Sequence, residues 1–385
     1  MAALLGGPAT GQELRVRAPD MGEAETVFRW ETDRCGPHDI PDTAARAFRD
    51  ADGRVHLIAS HSVNRALVGP DLDSVSPNCS VLFQGGNRGD PSQYDDRSWL
   101  AAFHTEDGRT IHALVHTEFQ GHRRKALCPS GRYLTCWSNS ITYAVSTDGG
   151  YSFRRPAPPN HLVAGLPYRY PGETDHNIGL FAPTNIIEHD GFYYALIFAE
   201  RFRKQAHGTC VIRTDRLDDP QSWRAWDGDG FTIRFADPYR EAIADESRHT
   251  CAPVGRGKLT RPVNALIRHE PSGLFVAVMT GRRPLRPDAA PTSGIFTSTS
   301  ADLIHWSEPN LVLAAPTLHD HDCGDGQFLH YPSLLDPDDR SRNFENTDGS
   351  AFLYLTRFEM DGCRVGWNRD LVRLPVEISV KPTDR

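Results

Sequence analysis

Five segments of the chain repeat one pattern of polar and apolar positions. In each segment a tight turn ending in glycine is followed at once by an apolar strand, and an Asp-centred turn comes after that strand. Hairpin units that recur in this way are typical of a radial array of small β-sheets. The glycine turns are Asp52-Gly53, Asp107-Gly108, Asp190-Gly191, Ser272-Gly273 and Asp348-Gly349.

The apolar runs after these turns have the length and the β-branched and aromatic content of strands. They are predicted at residues 55–60, 110–116, 192–199, 274–280 and 351–358. The second turns are predicted at residues 69–72, 146–150, 213–215, 300–303 and 368–371. Because segments of helical period are nearly absent, we predict an all-β protein, a five-bladed β-propeller whose antiparallel sheets surround a central funnel.

The chain is predicted to form a single domain. Its blades are expected at residues 42–75, 96–156, 181–226, 261–309 and 331–378. A strand at residues 26–30 precedes the first blade, and we expect it to pair with the last one. This pairing would close the ring and remove the exposed edges of the array.

Candidate functional residues follow from the blade geometry. The first strand of a blade leaves the funnel and the second returns to it, so those two ends face one mouth. At these positions the chain is rich in carboxylates, histidine and arginine, whereas ordinary loop ends are rich in Gly, Ser and Pro. The candidates are Asp42, Arg46, His61, Asp96, Arg97, His116, Glu118, His122, Asp175, Asn185, Glu200, Arg261, Arg282, His330, Tyr331 and Arg357.

Composition and charge limit the classes of partner that we expect for the protein. The 385 residues carry a net charge of -8 without a basic cluster, which argues against nucleic acid. No run approaches the roughly 20 apolar residues of a membrane span, and the N-terminus lacks the basic start and apolar core of a signal peptide. As the chain is written we expect a cytoplasmic protein with no membrane partner. Secretion stays open if the N-terminus is processed.

The eight cysteines are scattered and form no C-x-x-C pair, so a structural zinc site is not expected. Cys128 and Cys136 flank one loop and could form a bridge in an oxidising compartment. For a cytoplasmic chain, the expectation is free thiols.

Three motifs resemble those of the five-bladed propeller glycoside hydrolases, the arabinanase/β-xylosidase and invertase-like groups, with a sialidase-type feature. Residues 146–153 (STDGGYSF) resemble the sialidase Asp-box. Residues 298–306 (STSADLIHW) are similar to the outer-turn motif of the arabinanase and invertase groups. Residues 181–198 are similar to their Ala-Pro strand, Asp-Gly turn and Tyr-rich strand. The Glu-Gly-Pro motif of the arabinanase acid blade is absent.

The resemblance implies a carbohydrate substrate and cleavage of a glycosidic bond by paired carboxylates. One carboxyl protonates the leaving oxygen, and the other attacks the sugar or activates water. By the resemblance, Asp42 matches the base or nucleophile and Asp96 the carboxylate that tunes the acid. The acid is expected among Glu118, Glu200 and Glu173.

The resemblance implies no organic cofactor. It does suggest a structural calcium or other cation, for which His330 is the candidate ligand. The loop at residues 319–325 (HDHDCGD) also contains residues that could bind calcium or zinc.

Four arginines come from different blades. They would either converge on an acidic sugar, as arginines do in sialidases, or pair with Asp96, Glu118 or Glu200. They are Arg46, Arg261, Arg282 and Arg357.

Two other functions remain open at this point. A glycoside phosphorylase or lyase on the same scaffold would need a phosphate pocket, for which His116, His122 and Arg201 are candidates. A non-catalytic propeller that binds a glycan or a protein would need no acid pair, because the fold does not fix the function.

Overall fold

The computed structural model describes residues 14–380, and most of its regular structure is antiparallel β-sheet. In this part of the chain, α-helix is confined to the single turn α1 (Trp30–Asp33). No helix among the described residues is long and apolar enough to cross a membrane. The N-terminal segment expected to lack a signal peptide lies largely outside residues 14–380. Short 3-10 helices lie at Met21–Glu23, Pro91–Gln93, Gly121–Arg123, Leu134–Cys136, Pro220–Ser222 and Glu246–His249.

Two strands precede the first blade, and the next eight form blades one and two. The leading strands are β1 (Leu14–Arg17) and β2 (Glu25–Phe28). Blade one consists of β3 (Arg46–Arg49), β4 (Val55–Ile58), β5 (Val63–Gly69) and β6 (Ser76–Gln84). Blade two consists of β7 (Arg97–His104), β8 (Ile111–Gln120), β9 (Trp137–Ser146) and β10 (Leu162–Ala164).

Blades three and four are also built from strands that are consecutive in the chain. Blade three contains β11 (Ile178–Phe181), β12 (Ile187–His189), β13 (Phe192–Ala199), β14 (Gly208–Thr214), β15 (Arg224–Trp226) and β16 (Phe231–Ile233). Blade four contains β17 (Val263–His269), β18 (Leu274–Pro284), β19 (Pro291–Ser300) and β20 (Asn310–Ala314). A short parallel pairing of β11 with β9 joins blade three to blade two, so these blades share one continuous sheet.

Blade five closes the ring. It consists of β21 (Gln327–Leu335), β23 (Ser350–Asp361) and β24 (Arg364–Val380). Between them, the two-residue β22 (Asn346–Thr347) pairs with β17 of blade four. Both leading strands pair antiparallel with β24, which confirms the predicted closure by a strand before blade one.

The hydrophobic core lies between the blades, in five clusters that each join two neighbours. Successive side chains of one strand therefore enter different clusters. On β8, Ala113 and Val115 pack toward blade one, whereas Leu114 packs toward blade three. This explains why the inner strands read as continuous apolar runs and not as alternating ones.

The Arg46 side chain spans the axis of the propeller. Its guanidinium donates to the carbonyls of Ala101 at 2.9 Å, Pro183 at 3.3 Å and Asn264 at 2.5 Å. These carbonyls belong to blades two, three and four, so one buried side chain on blade one holds three other blades. Arg46 was a predicted substrate contact, but its hydrogen bonds are to the backbone. Burial lowers the pKa of Arg46 to about 9.

Buried asparagines join neighbouring inner strands. The Asn185 amide accepts from Leu266 N at 2.8 Å and donates to Leu266 O at 2.9 Å, connecting blades three and four. Asn64 accepts from Leu100 N at 2.7 Å and donates to Ser98 O at 3.0 Å, connecting blades one and two. Because the Leu266 backbone occupies both ends of the Asn185 amide, this residue serves blade packing.

All five predicted glycine turns lie where the sequence places them, but one of the second turns was wrong. Residues 368–371 are part of the long strand β24. The turn before it is the two-residue loop Gly362-Cys363, since Asp361 pairs with Arg364. Glycine at the first position of such a loop favours a tight hairpin, and Gly362 has φ 58°, so β24 begins earlier than the repeat suggests.

The expectation of free thiols was also wrong. All eight cysteines are paired, and no cysteine is free among the described residues. The pairs are Cys35–Cys79, Cys128–Cys136, Cys210–Cys251 and Cys323–Cys363.

Candidate active site in the funnel

A cavity of about 440 Å³ opens where the inner strands of all five blades meet. Three carboxylates line it, each from a different blade: Asp42, Glu118 and Glu200. Its walls include aromatic side chains, among them Trp99 and Trp137. Apolar walls with a few convergent polar groups, within a volume of about 300–1,000 Å³, are typical of small-molecule sites.

Asp42 lies just before β3, and donors from several blades orient its carboxylate. Oδ1 pairs with the Arg369 guanidinium and accepts from the Tyr331 hydroxyl at 3.4 Å. Oδ2 accepts from the Trp99 indole at 3.1 Å. His61 Nε2 lies 3.8 Å from the same oxygen. The carboxylate is thus held in one orientation at the cavity wall.

Glu118 lies near the end of β8, and its donors carry no fixed positive charge. Its Oε2 accepts from Gln120 Nε2 at 2.7 Å and from the Tyr133 hydroxyl at 3.4 Å. His116 Nε2 lies 3.2 Å from Oε1. His116 Nδ1 faces the backbone N–H of Ala182 at 3.4 Å. This contact assigns the ring proton to Nε2, from which it is donated to Glu118.

Trp99 connects the two carboxylates. Its indole N–H contacts Asp42, and its ring lies 5.7 Å from the His116 ring, which in turn contacts Glu118. Burial raises the pKa of Tyr331 well above its usual value, and the charges of Asp42 and Glu118 add to this effect. Tyr331 therefore remains a hydrogen-bond donor to Asp42.

Glu200 follows β13 and is the third carboxylate of the cavity. Its Oε2 lies 3.0 Å from His207 Nδ1. Glu173, the other candidate for the acid, is not a lining residue and pairs with Arg132 at 3.2 Å. Two cavity residues other than glycine have left-handed backbone, Ala182 at φ 51° and Tyr331 at φ 53°. Such strained residues cluster at functional sites.

Asp96 lies outside the cavity and is fully buried. Arg124 binds both of its oxygens, at 2.8 and 2.9 Å, and Gln120 N donates to it at 2.8 Å. Since the Gln120 side chain also donates to Glu118, Asp96 reaches the site only through Gln120.

His61 lies next to Asp42, and Arg97 contacts His61. Arg97 Nη2 lies 3.4 Å from His61 Nε2. Burial lowers the pKa of His61 to about 4, so the ring is neutral and accepts from Arg97. Both residues support Asp42 without lining the cavity.

Besides Asp42, the structure places seven of the predicted site residues on the cavity wall. Eight lie outside it, namely Asp96, His61 and Arg97, described above, and five others. Those lining the cavity, besides Asp42, are Arg46, His116, Glu118, Glu200, Arg261, His330 and Tyr331. The other five lie outside it: Arg282 pairs with Asp320, Arg357 with Asp370 and Asp175 with His176, His122 packs against Tyr133, and Asn185 joins two blades. Of the three residues considered for a phosphate pocket, His116 lines the cavity, and His122 and Arg201 do not.

The residues around His330 do not fit a calcium ion. Its ring neighbours are His319 at 5.4 Å and Tyr331 at 4.5 Å, and the charged groups that act on it are His319, Arg369 and Arg261. Calcium requires six to eight oxygen ligands. Within residues 14–380, the one cluster of three potential ligands is Cys128, Cys136 and Glu173, and both of its sulfurs are oxidised.

Sequence reasoning missed several contributors. Arg369 falls in the wrongly predicted turn at residues 368–371, whereas a hairpin turn at Gly362 places it within β24. Trp99 lies within β7 as an apolar residue, so a search for polar residues at strand ends does not select it. Tyr133 and His207 lie on loops, and no sequence pattern points to them.

No family model matches the chain, and no curated protein matches it. Its fold is similar to that of a thermostable family-43 glycoside hydrolase, at 12% identity over 90% of this chain and 93% of the other, with a TM-score of 0.48. It is also similar to an α-L-arabinanase of Cellvibrio cellulosa crystallised with arabinohexaose, at 14% identity over 88% and 91%, with a TM-score of 0.46. A glycosyl hydrolase from Bacteroides ovatus matches at 10% identity over 96% of both chains, with a TM-score of 0.46. At these identities the likeness is one of fold alone.

Proposed function

We propose that the protein is a glycoside hydrolase that cleaves its substrate in the funnel cavity. The observation that carries the proposal is the pair of carboxylates, Asp42 and Glu118, connected through Trp99 in a cavity with aromatic walls. Cleavage of a glycosidic bond needs two carboxyl groups in different protonation states.

The partners of the two carboxylates suit different roles. Asp42 contacts the guanidinium of Arg369, and a neighbouring positive charge favours the ionised form that a base or nucleophile needs. Glu118 has only neutral donors among its hydrogen-bond partners. We therefore assign Asp42 as base or nucleophile and Glu118 as general acid. Asp96 acts as a positioning residue through Gln120.

Glu200 is the alternative acid. Only His207 lies within hydrogen-bond distance of its carboxylate in the described part of the chain, so it is less constrained than Glu118. The proposed chemistry requires no cofactor. The four disulfides favour an oxidising compartment over the cytoplasm as the place of action.

The test is hydrolysis of a panel of aryl glycosides, furanosides and acidic sugars included, by wild type, Asp42→Asn, Glu118→Gln and Glu200→Gln. Asp175→Asn is the matched control, because this carboxylate is exposed and lies outside the cavity. General acid and base groups each contribute about 10²–10⁴-fold. We expect losses of this size in Asp42→Asn and Glu118→Gln with folding unchanged, and none in the control.

A loss in Glu200→Gln but not in Glu118→Gln would move the acid to Glu200. Absence of turnover on every glycoside, combined with tight glycan binding, would contradict hydrolysis and favour a binding propeller.

A further inference from the structure

The side of the cavity formed by blades four and five carries positive and hydrogen-bonding groups that have no partner among the described residues. Arg261 lines the cavity, and within residues 14–380 its guanidinium makes no hydrogen bond and no ion pair. The same holds for the His319 ring, which also lines the cavity. Arginine presents a planar fork of donors that matches an oxyanion.

His330 adds an unpartnered buried group. The residue is 7% exposed, and its Nδ1 is buried without a hydrogen-bond partner. A buried polar atom without a partner is destabilising, so an unpartnered nitrogen on a ring that lines the cavity points to a missing partner. Arg261 lies close enough to lower the pKa of both His319 and His330, after the larger effect of burial.

The carboxylates of the site do not neutralise this group. Asp42 pairs with Arg369, and Asp320, next to His319 in the chain, pairs through Oδ1 with Arg282, while its Oδ2 is buried without a hydrogen-bond partner. Glu118 and Glu200 extend from blades two and three and contact His116 and His207. Arg261 therefore keeps its full charge facing the cavity.

We propose that Arg261, His319 and His330 form an oxyanion subsite, so that the substrate carries a negatively charged group. The subsite adjoins the reacting position, because the His330 ring contacts Tyr331 and the Tyr331 hydroxyl donates to Asp42. The group is the carboxylate of an acidic sugar in the reacting position or a phosphate bound beside it. This inference rests on the proposed function where it calls the bound group part of a substrate. The binding of an anion to these residues does not depend on the proposed function.

The test is calorimetric binding without turnover. The probes are glucuronate and galacturonate, the neutral sugars glucose and galactose, and inorganic phosphate. The variants are Arg261→Gln and Arg261→Lys, with Arg256→Gln as the matched control, because Arg256 is an exposed arginine of the same segment outside the cavity. Thermal unfolding verifies that each variant is folded, and His330→Phe provides a second variant that removes the ring nitrogens.

We expect wild type to bind at least one acidic sugar, or phosphate, at least tenfold more tightly than the neutral sugars. Arg261→Gln should remove this advantage and leave neutral sugars unaffected, Arg261→Lys should keep part of it, and Arg256→Gln should change nothing. Added salt should weaken anion binding. Tight binding of phosphate alone would assign the anion to phosphate, and binding of a uronate would assign it to the sugar.

Equal affinity for acidic and neutral sugars with no binding of phosphate, or anion binding that survives Arg261→Gln, would overturn the subsite. Turnover of glycosides with no preference for acidic over neutral ones, and with no effect of Arg261→Gln on either kind, would refute this inference and leave the hydrolase intact. Arg261-dependent anion binding without turnover of any glycoside would refute the proposed hydrolase and leave the anion subsite intact.

Discussion

Replacing Asn185 with alanine removes the two side-chain hydrogen bonds that join the inner strands of blades three and four. The backbone N–H and C=O of Leu266 would then lose their partners in a buried position. A buried polar group left without a partner costs about 1–3 kcal/mol. With two such groups, we expect the free energy of unfolding to fall by about 2–6 kcal/mol.

Urea unfolding followed by tryptophan fluorescence measures this loss. Asn64→Ala is the matched control at the interface of blades one and two, where the amide has equivalent partners, and it should cost a similar amount. At a temperature where both variants are folded, KM for any substrate found should equal that of wild type. An Asn185→Ala protein of wild-type stability with a raised KM would refute the structural role and restore the substrate contact predicted from the sequence.

Three further predictions concern the scaffold. Arg46→Met should cost about 3 kcal/mol or more, since it leaves three carbonyls of other blades without a donor; a loss below about 1 kcal/mol in chemical denaturation would contradict this. Burial raises the pKa of Glu345 from 4.5 to about 7, with smaller contributions from Asp339 and Glu188. The folded state then binds the proton more tightly, so this stability is present below pH 4.5 and is lost as the pH rises through 7. Between pH 4.5 and 7 this loss should lower the free energy of unfolding of wild type by about 3 kcal/mol, at about 1.4 kcal/mol per pKa unit. Glu345→Gln should not show this fall, and a pH dependence of its stability parallel to that of wild type would be inconsistent with that pKa. Alkylation of the native protein without reductant should find no reactive thiol, and stoichiometric labelling would show that the disulfides are not formed.

Much of the fold was predictable because its determinants are local. Each glycine turn lies next to an apolar run, and both are encoded within about ten residues. The closure of the ring was also predictable, because a strand left over before blade one has few other places to pair. The error at residues 368–371 arose from extending the repeat over a competing glycine turn at residues 362–363.

The site was harder to predict, because its determinants lie far apart in the chain. The sequence places Asp42, Glu118 and Glu200 at strand ends near the funnel, and they do line it. It gives no means of distinguishing them from Asp96, which has the same kind of position but is bound by Arg124. The pairing of Asp42 with Arg369 spans 327 residues and depends on the closed ring.

Cysteine pairing could not be derived either. The partners in three of the four disulfides are 40 residues or more apart, and eight cysteines allow about 105 connectivities. Only Cys128 and Cys136, which flank one loop, were near enough in sequence to be considered as a pair.

The measurement that tests the assignment of Asp42 and Glu118 most directly is the dependence of the rate on the leaving group. A leaving group that departs as a stable anion, such as dinitrophenolate, needs no proton from a general acid, whereas an alkoxide does. We therefore predict that Glu118→Gln hydrolyses dinitrophenyl glycosides at close to the wild-type rate of bond cleavage and loses activity on alkyl glycosides. Asp42→Asn should be inactive on both. Equal losses of Glu118→Gln on the two substrates, or an unimpaired Asp42→Asn, would contradict the assignment.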